Sequence, residues 1–515
     1  MKKDLRYLLA FVAVLFVFSS CKNKQQQPQG PRPNIIFILS DDHAYQAISA
    51  YGDSLNHTPN IDALAKEGML FNRAFVNNSL CAPSRAAILT GKYSNMNGIK
   101  GNGDEVFDGS QETFPKLLHQ AGYQTAMIGK WHLVSNPTGF DFWNILPGQG
   151  DYYNPDFIDS TGTKREEGYV TDITTDKAIN WLNNRDTSKP FCMLVWNKAP
   201  HRDWMSALKY LHEFDSVNIP LPATFFDDYS TRTRAAHEQK MEISKWLAPN
   251  YDLKENFNVK PPYGRLDSNW AAIFGRLTPE EQQAFIAAYT PKNNAFKKAN
   301  LSGKDLAIWK YERYIKDYLR TIQSVDDNVG RLMDYLKEKG LDKNTIVIYS
   351  SDQGFYLGEH GWFDKRFMYE ESFRTPLIVR WPSVIKPGSV SNDMVMNLDI
   401  PETLLDAAHI KIPAGMQGTS MLPVWQGKTP DDWRKYVYYH YYESGGEHNV
   451  AKHLGIRSER YKLINYYENK EWEFYDLKND PSELHNVYND PAYQKIRDSL
   501  KTELQVQMKK YKDNY

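Results

Sequence analysis

Short apolar runs alternate with amphipathic segments along most of this chain, and this alternation constrains the fold more than any other feature of the sequence. Asn34–Ser40 (NIIFILS) is apolar except at its ends and stops abruptly at Asp41, Asp42 and His43. Such a run is typical of a buried parallel strand. Four similar runs follow: Tyr123–Ile128, Phe191–Trp196, Thr345–Ser350 and Leu377–Trp381. Helical patterns lie between them, at Pro59–Glu67, Phe114–Ala121, Val170–Asn184, Leu306–Lys339 and Ile400–Ala408. The alternation predicts an α/β fold with a mostly parallel sheet flanked by helices, and a ligand site beyond the carboxyl ends of its strands.

The pattern changes from about Tyr436 onward, where the apolar runs become short and closely spaced. They indicate antiparallel strands followed by a closing helix. The predicted strands are Tyr438–Tyr442, Leu454–Arg457, Tyr461–Tyr467 and Trp472–Asp476, and the predicted helix is Pro491–Lys510. We therefore predict a main domain over residues 33–430, with an irregular insertion at about 207–300, and a smaller C-terminal α+β subdomain with an antiparallel sheet over residues 431–515.

The first 32 residues indicate an export signal and a tether. Residues 1–20 combine a basic start with an apolar run that is shorter than the roughly 20 residues of a spanning helix. Cys21 then stands where bacterial lipoproteins carry their acylated cysteine, although Phe18 replaces the usual leucine; plain secretion is the alternative. The polar, proline-rich residues 21–32 predict a flexible tether. The expected location is the periplasm or surface of a bacterium, with membrane attachment through the lipid only.

Charge and cysteine content exclude several classes of protein. The chain has 62 basic and 63 acidic side chains, a net charge of −1. This balance argues against broad electrostatic capture of nucleic acid or of an anionic membrane. Three cysteines in 515 residues exclude a disulfide framework. Aromatic residues make up 14% of the chain, which suits the stacking of flat rings against a ligand as well as ordinary core packing.

Oxygen-bearing side chains follow two of the predicted strands. Asp41 and Asp42 follow the first strand, and Asp352 and Gln353 follow the strand at Thr345–Ser350. Two parallel strands would bring these side chains to one edge of the sheet. All-oxygen ligation suits Ca²⁺ or Mg²⁺ better than zinc. Helix capping or a solvated turn is the alternative reading of each acidic pair.

Cys81 occupies a position that suits a reactive residue. It precedes Pro83 at the start of a predicted helix that continues through Arg85. The positive potential at a helix N-terminus beside an arginine is expected to lower the pKa of the thiol and to stabilise anions nearby. The alternative is a small buried residue at a junction between loop and helix.

The segment Cys81-Ala82-Pro83-Ser84-Arg85, followed by Thr90-Gly91, resembles the signature of the type I sulfatases. Five further motifs occur in the order of that family: Pro33–Ile36 with Asp41-Asp42, Gly129–His132, Ala199–His201, Ser351–Gly354, and Gly358–Gly361 with Lys365. The resemblance implies an alkaline-phosphatase-like α/β fold. It also implies that a formylglycine-generating enzyme or an anaerobic sulfatase-maturing enzyme oxidises Cys81 to formylglycine, whose hydrated aldehyde would be the nucleophile.

The resemblance assigns expected roles to the motif residues. Asp41, Asp42, Asp352 and Gln353 would hold one Ca²⁺, with Mg²⁺ less suited; Gln353 replaces the usual asparagine but keeps the amide oxygen. Fixed positive charges for the sulfate oxygens would come from Arg85, Lys130 and Lys365. The expected proton carriers are His201, as the acid for the leaving oxygen, and His132, as the base.

Segments Phe140–Phe157 and Leu357–Glu371 resemble the branch of the family that acts on N-acetylglucosamine-6-sulfate. The expected substrate is therefore a sulfated glycan. The expected sugar-binding residues are Trp204, Glu443, His448 and His453, the last three in the C-terminal subdomain. The alternatives are a sulfatase for another sugar position, a phosphatase or phosphonate hydrolase on the same fold, and a surface lipoprotein that binds glycans without catalysis.

Overall fold

The computed structural model describes residues 32–515 except 53–54, 104 and 260–263. The predicted signal peptide at 1–20 and the acylated Cys21 therefore lie outside the described residues. Residues 33–515 form one compact unit. Within the described part of the chain, no helix combines the length and the apolar character that crossing a bilayer requires.

A sheet of ten strands runs through the centre of this unit. Its strands are β1 (Asn34–Ser40), β2 (Met69–Phe71), β4 (Gln124–Lys130), β5 (Phe142–Leu146), β6 (Asp156–Asp159), β7 (Gly162–Arg165), β8 (Phe191–Trp196), β9 (Thr345–Ser351), β13 (Leu377–Arg380) and β14 (Ser389–Ser391). Their order is β14-β2-β13-β9-β1-β8-β4-β5-β6-β7. The five consecutive strands β9, β1, β8, β4 and β5 are parallel. Strand β13 joins β9 in the antiparallel direction, so the sheet is mixed but mostly parallel, as predicted.

Helices cover both faces of the sheet because successive side chains of a strand point to opposite faces. In β1, Ile36 and Ile38 pack into one apolar cluster, and Ile35 and Phe37 pack into another. The helices that precede the C-terminal sheet are α1 (Pro59–Glu67), α2 (Cys81–Thr90), α3 (Ser94–Asn97), α4 (Phe114–Gln120), α5 (Val170–Asn184), α6 (Arg234–Glu238), α7 (Ile243–Trp246), α8 (Arg265–Phe274), α9 (Pro279–Ala299), α10 (Gly303–Glu338), α11 (Glu370–Phe373), α12 (Asp399–Ala407) and α13 (Leu422–Trp425). The mostly parallel sheet flanked by helices confirms the predicted α/β fold.

Two small sheets lie beside the ten-stranded sheet. One contains β10 (Tyr356–Leu357) and β11 (Phe363–Asp364), and the other contains β3 (Ala74–Phe75), β12 (Arg374–Thr375) and β15 (Val395–Met396). The hairpin of β10 and β11 is antiparallel and leads directly into Lys365. None of these two-residue strands was predicted from the sequence, since they are too short to show a periodic pattern.

The C-terminal segment forms an antiparallel sheet of four strands, as the sequence predicts. These are β16 (Val437–Tyr441), β17 (His453–Arg457), β18 (Tyr461–Tyr466) and β19 (Glu471–Asp476), and α14 (Gln494–Lys510) follows them. Each strand pairs with the next along the chain. Leu500 and Leu504 of α14 share an apolar cluster with residues of all four strands, so the helix closes one face of this sheet.

Candidate active site

Three aspartates meet where β1 and β9 end side by side. The parallel register pairs Ser40 with Ser351, which places Asp41 and Asp42 next to Asp352. One carboxylate oxygen from each aspartate lies within 4.8 Å of the others, and all three side chains are buried. The predicted convergence of acidic strand ends is therefore present.

The loop after β1 is held in place by hydroxyl groups from the surrounding elements. Tyr318 of α10 donates to the carbonyl oxygen of Asp42 at 2.7 Å and accepts from the Ala44 amide at 2.8 Å. Asp42 itself has φ of 64°, a conformation that most non-glycine residues avoid. The Ser351 hydroxyl accepts from the His43 amide at 2.8 Å. These bonds fix the direction in which Asp42 presents its carboxylate.

Cys81 begins α2 and points at the aspartate cluster. Its Sγ lies 3.2 Å from Asp41 Oδ1 and 3.7 Å from Lys365 Nζ. The amide of Ala82 donates to the side-chain oxygen of Asn102 at 3.0 Å, so a group outside the helix caps its first turn. All ten residues of α2 are buried, which fixes the position of Cys81 relative to the sheet.

The expectation of a lowered thiol pKa is wrong for the unmodified cysteine. Complete burial disfavours the thiolate and raises the pKa of Cys81 well above its ordinary value. The neighbouring Asp41 carboxylate raises it further, and the cations Lys365 and Lys130 only partly oppose the two effects. Burial therefore favours the neutral thiol form of the unmodified residue 81.

Three cations surround the carboxylates. Arg85 donates from Nη2 to Asp41 at 3.1 Å and to Asp352 at 2.9 Å. Lys130 contacts Asp41, and Lys365 lies 2.5 and 2.7 Å from the two carboxylate oxygens of Asp42. The predicted positive charges therefore lie against the predicted metal ligands. Lys130 also donates to Gln149, which sequence reasoning did not identify.

The cations and burial act in opposite directions on the aspartates. Burial alone would raise the pKa of Asp41, but the positive charges of Lys130 and Arg85 outweigh it and hold that pKa well below its usual range. Burial raises the pKa of Asp42 to about 7 even though Lys365 opposes the shift, and the charge of Asp41 adds to the effect. An arrangement of crowded, buried carboxylates of this kind favours a bound cation, which relieves their mutual repulsion.

Gln353 supplies a direct test of whether a cation fits. Its Oε1 is buried and has no hydrogen-bond partner among the described residues, while its Nε2 donates to Asp42. A buried amide oxygen without a partner costs free energy unless a ligand satisfies it. Three carboxylates and this oxygen form an all-oxygen set, which suits Ca²⁺ or Mg²⁺. The residues present therefore fit the expected divalent cation.

The two predicted proton carriers are half-buried near these charges. His201 Nε2 lies 3.8 Å from Asp42 Oδ2, and its Nδ1 lies 2.6 Å from the Arg202 carbonyl oxygen. That carbonyl can only accept, so Nδ1 carries the hydrogen and Nε2 faces the aspartates. His132 follows β4 with φ of 58°. Burial, reinforced by Lys130, lowers the pKa of both histidines well below the ordinary value.

Two of the predicted sugar-binding residues lie beside this centre. Glu443 accepts from Asn102 N at 2.6 Å and from Arg366 Nη1 at 3.3 Å. His448 Nε2 lies 3.0 Å from Asp364 Oδ2, and Arg366 Nε lies 3.0 Å from the same oxygen. Asp364 and Arg366 flank Lys365 and were not identified from the sequence. The sequence feature that could have identified them is their position directly beside Lys365, which belongs to a family motif.

The other two predicted sugar-binding residues lie in the core, which corrects the expectation. Trp204 is fully buried, and its ring packs against Tyr314 at a centroid distance of 4.8 Å. His453 is also fully buried, with Nε2 accepting from Met368 N at 3.2 Å and Nδ1 bonded to Ala451 O at 2.8 Å. With no exposed ring face and with both imidazole nitrogens engaged, these residues stabilise the fold and cannot contact a sugar in this arrangement.

Comparisons with known proteins agree with this geometry. The profile of the family described as Sulfatase matches residues 33–410, and the profile described as N-sulphoglucosamine sulphohydrolase, C-terminal, matches residues 358–510. The N-acetylglucosamine-6-O-sulfatase of Bacteroides thetaiotaomicron is 50% identical over all of this chain and 92% of its own length. The N-acetylglucosamine-6-sulfatase of Homo sapiens is 29% identical over 80% of this chain and 68% of its own.

A solved structure extends the likeness to three dimensions. It is described as a complex with its substrate D-glucosamine-2-N,6-O-disulfate. It superimposes with a TM-score of 0.91 at 50% identity, over 94% of this chain and 99% of that one. The family profile spans most of the described chain and contains each of the aspartates, the cations and Cys81. The chain belongs to the sulfatase family.

Proposed function

We propose that this protein hydrolyses the 6-O-sulfate ester of N-acetylglucosamine in sulfated glycans. The observation that carries the proposal is the position of Cys81, whose Sγ lies 3.2 Å from an aspartate of the buried three-carboxylate cluster. Similarity over the full chain to an enzyme named for that sugar and that position supports the substrate. A phosphatase or phosphonate hydrolase on the same fold remains the alternative within the enzyme class, but the Cys-x-Pro-Ser-Arg segment favours sulfate.

A modified residue and a bound metal ion would supply the chemistry of sulfate transfer. Formylglycine at position 81 would provide a hydrated aldehyde as the nucleophile. Ca²⁺, held by Asp41, Asp42, Asp352 and Gln353, would polarise the sulfuryl group. The all-oxygen ligand set and the unsatisfied Gln353 Oε1 support this assignment.

The fixed cations bind and orient the sulfate group. Arg85, Lys130 and Lys365 are buried, and each lies against one of the aspartates, so positive charge is fixed beside the place where the sulfate would bind. Preorganised positive charge in a site that excludes water stabilises the negative charge that develops during transfer more than the same charge would in solvent.

His201 is the proposed acid for the leaving sugar oxygen. In the absence of substrate its low pKa favours the neutral imidazole, whose Nε2 carries no hydrogen. A sulfate ester bound beside it adds negative charge, which favours protonation of Nε2 and prepares it to donate to the leaving oxygen. His132 is the proposed base, since its low pKa keeps the imidazole neutral and able to accept a proton.

A charged wall beside Lys365 would recognise the sugar. Arg366 and His448 both contact Asp364, and Glu443 extends the group through Arg366. Carboxylate, guanidinium and imidazole groups are suited to the hydroxyl groups of a pyranose, because each can donate or accept in a fixed direction. The proposed wall keeps Glu443 and His448 from the four residues expected from the sequence, and Asp364 and Arg366 take the place of Trp204 and His453.

Maturation and location form part of the same proposal. A formylglycine-generating enzyme or an anaerobic sulfatase-maturing enzyme would act on the Cys-x-Pro-Ser-Arg segment before folding buries Cys81. Residues 1–20 would direct export, and Cys21 would carry the lipid that attaches the protein to a bacterial membrane. Fractionation of cells that produce wild type or Cys21→Ala tests the anchor: the wild type is expected with membranes and the variant in the soluble exported fraction, whereas equal distribution contradicts it.

A panel of positional isomers tests the proposed activity. The protein, produced together with a maturing enzyme, is incubated with N-acetylglucosamine-6-sulfate, N-acetylglucosamine-3-sulfate and glucosamine-N-sulfate, and free sulfate is measured. Release from the 6-sulfate at a rate well above the other two is expected, with none from Cys81→Ala. Preferential release from the N-sulfate, or equal release by the variant, would overturn the proposal.

A further inference from the structure

A cavity of about 460 Å³ opens between α9, α10 and the turn at 212–215. Small side chains leave this space, because Ala287 and Ala288 of α9 reach only a short way toward α10. Pro291 lies one turn further along α9 and also lines the cavity. A volume of this size is typical of sites that bind small organic molecules.

The cavity lies on the side of α10 that faces away from the active site. The lining residues of α10 recur every three or four positions and so form one stripe along the helix: Trp309, Glu312, Arg313, Lys316 and Arg320. Tyr318 of the same helix contacts the carbonyl oxygen of Asp42. At about 100° per residue, Tyr318 lies about 140–160° around the helix from the three cations of the stripe. Helix α10 thus separates the cavity from the catalytic centre.

Positive charge exceeds negative charge in the cavity lining. Four cationic side chains and two carboxylates line it: Lys292, Arg313, Lys316, Arg320, Asp215 and Glu312. Asp215 is shared between Lys292 at 2.5 Å and Arg320 at 2.6 Å, and Glu312 pairs with Lys316 at 2.7 Å. The two carboxylates therefore leave an excess of two positive charges.

Carboxylates next to the lining do not remove this excess. Asp317 lies 2.7 Å from Arg320, but it also pairs with the buried Lys254 at 3.0 Å and is balanced by it. The charge of Glu255 is shared between Arg313 and two further lysines. The cavity therefore keeps a positive potential that favours an anion.

Arg313 is the cation that most requires a counter-charge. It is 7% exposed, and its guanidinium donates to two neutral acceptors, Leu253 O at 3.2 Å and Asn293 Oδ1 at 3.1 Å. The rings of Tyr289 and Trp309 each lie 5.2 Å from it and supply part of the stabilisation. Among the carboxylates of the described residues, none forms an ion pair with this guanidinium. Because a buried charge without a counter-ion is costly, an anion in the cavity would stabilise Arg313.

The rest of the lining suits a ligand with an apolar body. Ala287, Ala288 and Pro291 present only carbon side chains, and the Trp309 ring is held in place by stacking on Phe296 at a centroid distance of 3.6 Å. A bare oxyanion would contact the cations but would leave most of this volume unused. An organic molecule that carries one anionic group would contact both parts of the lining.

We propose that this cavity binds a small organic anion, a carboxylate or sulfate whose body is about the size of one six-membered ring. The anionic group pairs with Arg313 and Lys316, and the body packs against Ala287, Ala288 and Pro291. Sugar acids and aromatic acids share this chemistry. The site is separate from the catalytic centre, so the inference goes beyond the proposed function and does not depend on it.

Titration calorimetry with glucuronate, benzoate and acetate tests the site. The three probes share a carboxylate and differ in their bodies, and none is a sulfate ester, so turnover does not enter the measurement. We expect the better of glucuronate and benzoate to bind with a Kd of about 1 mM or below, and acetate to bind about tenfold more weakly because it barely contacts the apolar lining. The comparison of glucuronate with benzoate identifies a sugar or an aromatic body. Absence of binding by both, or equal binding of acetate, overturns the proposal.

Two variants and a matched control locate the binding. Lys292→Gln/Lys316→Gln removes the excess charge and is expected to weaken binding of the better probe by about tenfold. Ala287→Phe fills the cavity without a change in charge and is expected to abolish binding. The control Lys298→Gln/Lys337→Gln replaces one exposed lysine on each of the same helices and is expected to keep the wild-type Kd. Equal weakening in the control, or wild-type binding by Ala287→Phe protein that keeps the wild-type Tm, overturns the proposal.

Discussion

Arg85 donates from both Nε and Nη2 to the same carboxylate oxygen of Asp352, at 3.0 and 2.9 Å, and neither side chain is exposed. The pair links α2, which begins at Cys81, to the end of β9. Because the guanidinium also reaches Asp41 at 3.1 Å, it holds the acidic ends of two strands beside the nucleophile position. Arg85 thus stabilises the site by linking α2 to the strand ends, and it also supplies a positive charge for sulfate.

Removal of the contacts that Arg85 makes with Asp41 and Asp352 is expected to cost much more stability than removal of an exposed ion pair. Arg85→Ala removes the main cation from the buried Asp352 and one of two cations from the buried Asp41, and we expect a loss of about 3–5 kcal/mol in the free energy of unfolding. The control is Arg331→Ala, which breaks an exposed pair with Asp176 and is expected to cost less than about 1 kcal/mol. Urea denaturation without added calcium measures both. Similar losses in the two variants would contradict the structural role of Arg85.

Calcium is expected to stabilise the protein through the aspartate cluster. A ligand that binds only the folded state at about 100 times its Kd adds about 2.7 kcal/mol, which scanning calorimetry detects as a rise in Tm. Asp42→Asn is expected to lose this rise, while Asp186→Asn, an exposed aspartate, is expected to keep it. An equal rise in wild type and Asp42→Asn would place the calcium elsewhere. A larger rise with Mg²⁺ than with Ca²⁺ at equal concentration would reverse the assignment of the metal.

The charged wall is expected to act on the sugar rather than on the sulfate. Arg366→Lys keeps the charge but loses the fork that contacts both Asp364 and Glu443. We expect kcat/KM for N-acetylglucosamine-6-sulfate to fall by about 10- to 100-fold, and by much less for an aryl sulfate that lacks the sugar. Equal losses on both substrates would show that Arg366 supports the catalytic centre instead of the sugar.

Glu402 is expected to give the stability a dependence on pH. Burial raises its pKa to about 8, and the charge of Asp399 adds to the shift. The folded protein therefore binds more protons than the unfolded chain between about pH 4.5 and 8, so this residue lowers stability as pH rises through that window. Between pH 5 and 8 the ionisation of Glu402 is expected to lower the free energy of unfolding of the wild type by about 2–4 kcal/mol. The Glu402→Gln variant is expected to lack this decrease.

Denaturation at the two pH values, with Glu338→Gln as the exposed control, measures this effect. The control is expected to follow the wild type, because Glu338 is 72% exposed in its side chain. A wild type and a Glu402→Gln variant with the same pH dependence would show that the Glu402 carboxyl titrates at an ordinary pKa in the folded protein.

The sequence predicted the parts of the structure that repeat a pattern over several residues. β1, β8, α1 and α5 match their predicted bounds, because continuous apolar runs and helical spacing extend over whole elements. The convergence of Asp41, Asp42 and Asp352 followed from parallel pairing, which brings the carboxyl ends of neighbouring strands together. Residue spacing and element direction were sufficient for these features.

Burial and contacts distant in sequence could not be predicted in the same way. The raised pKa of Cys81 depends on complete desolvation, which no local segment reveals. Trp204 and His453 were expected at a sugar because aromatic and imidazole groups suit one, but neighbours from α10 and from the segment after Lys365 enclose them. The proposed role of Asp364 and Arg366 depends on their contacts with the loop at 443–448, which lies far away in the sequence.

The state of residue 81 tests the central claim most directly. Protein produced with a maturing enzyme and active in sulfate release is digested, and the mass of the peptide that contains residue 81 is measured. We predict formylglycine at position 81 in this preparation, and unmodified cysteine in an inactive preparation made without the maturing enzyme. Unmodified cysteine as the sole form in a preparation that releases sulfate would contradict the account.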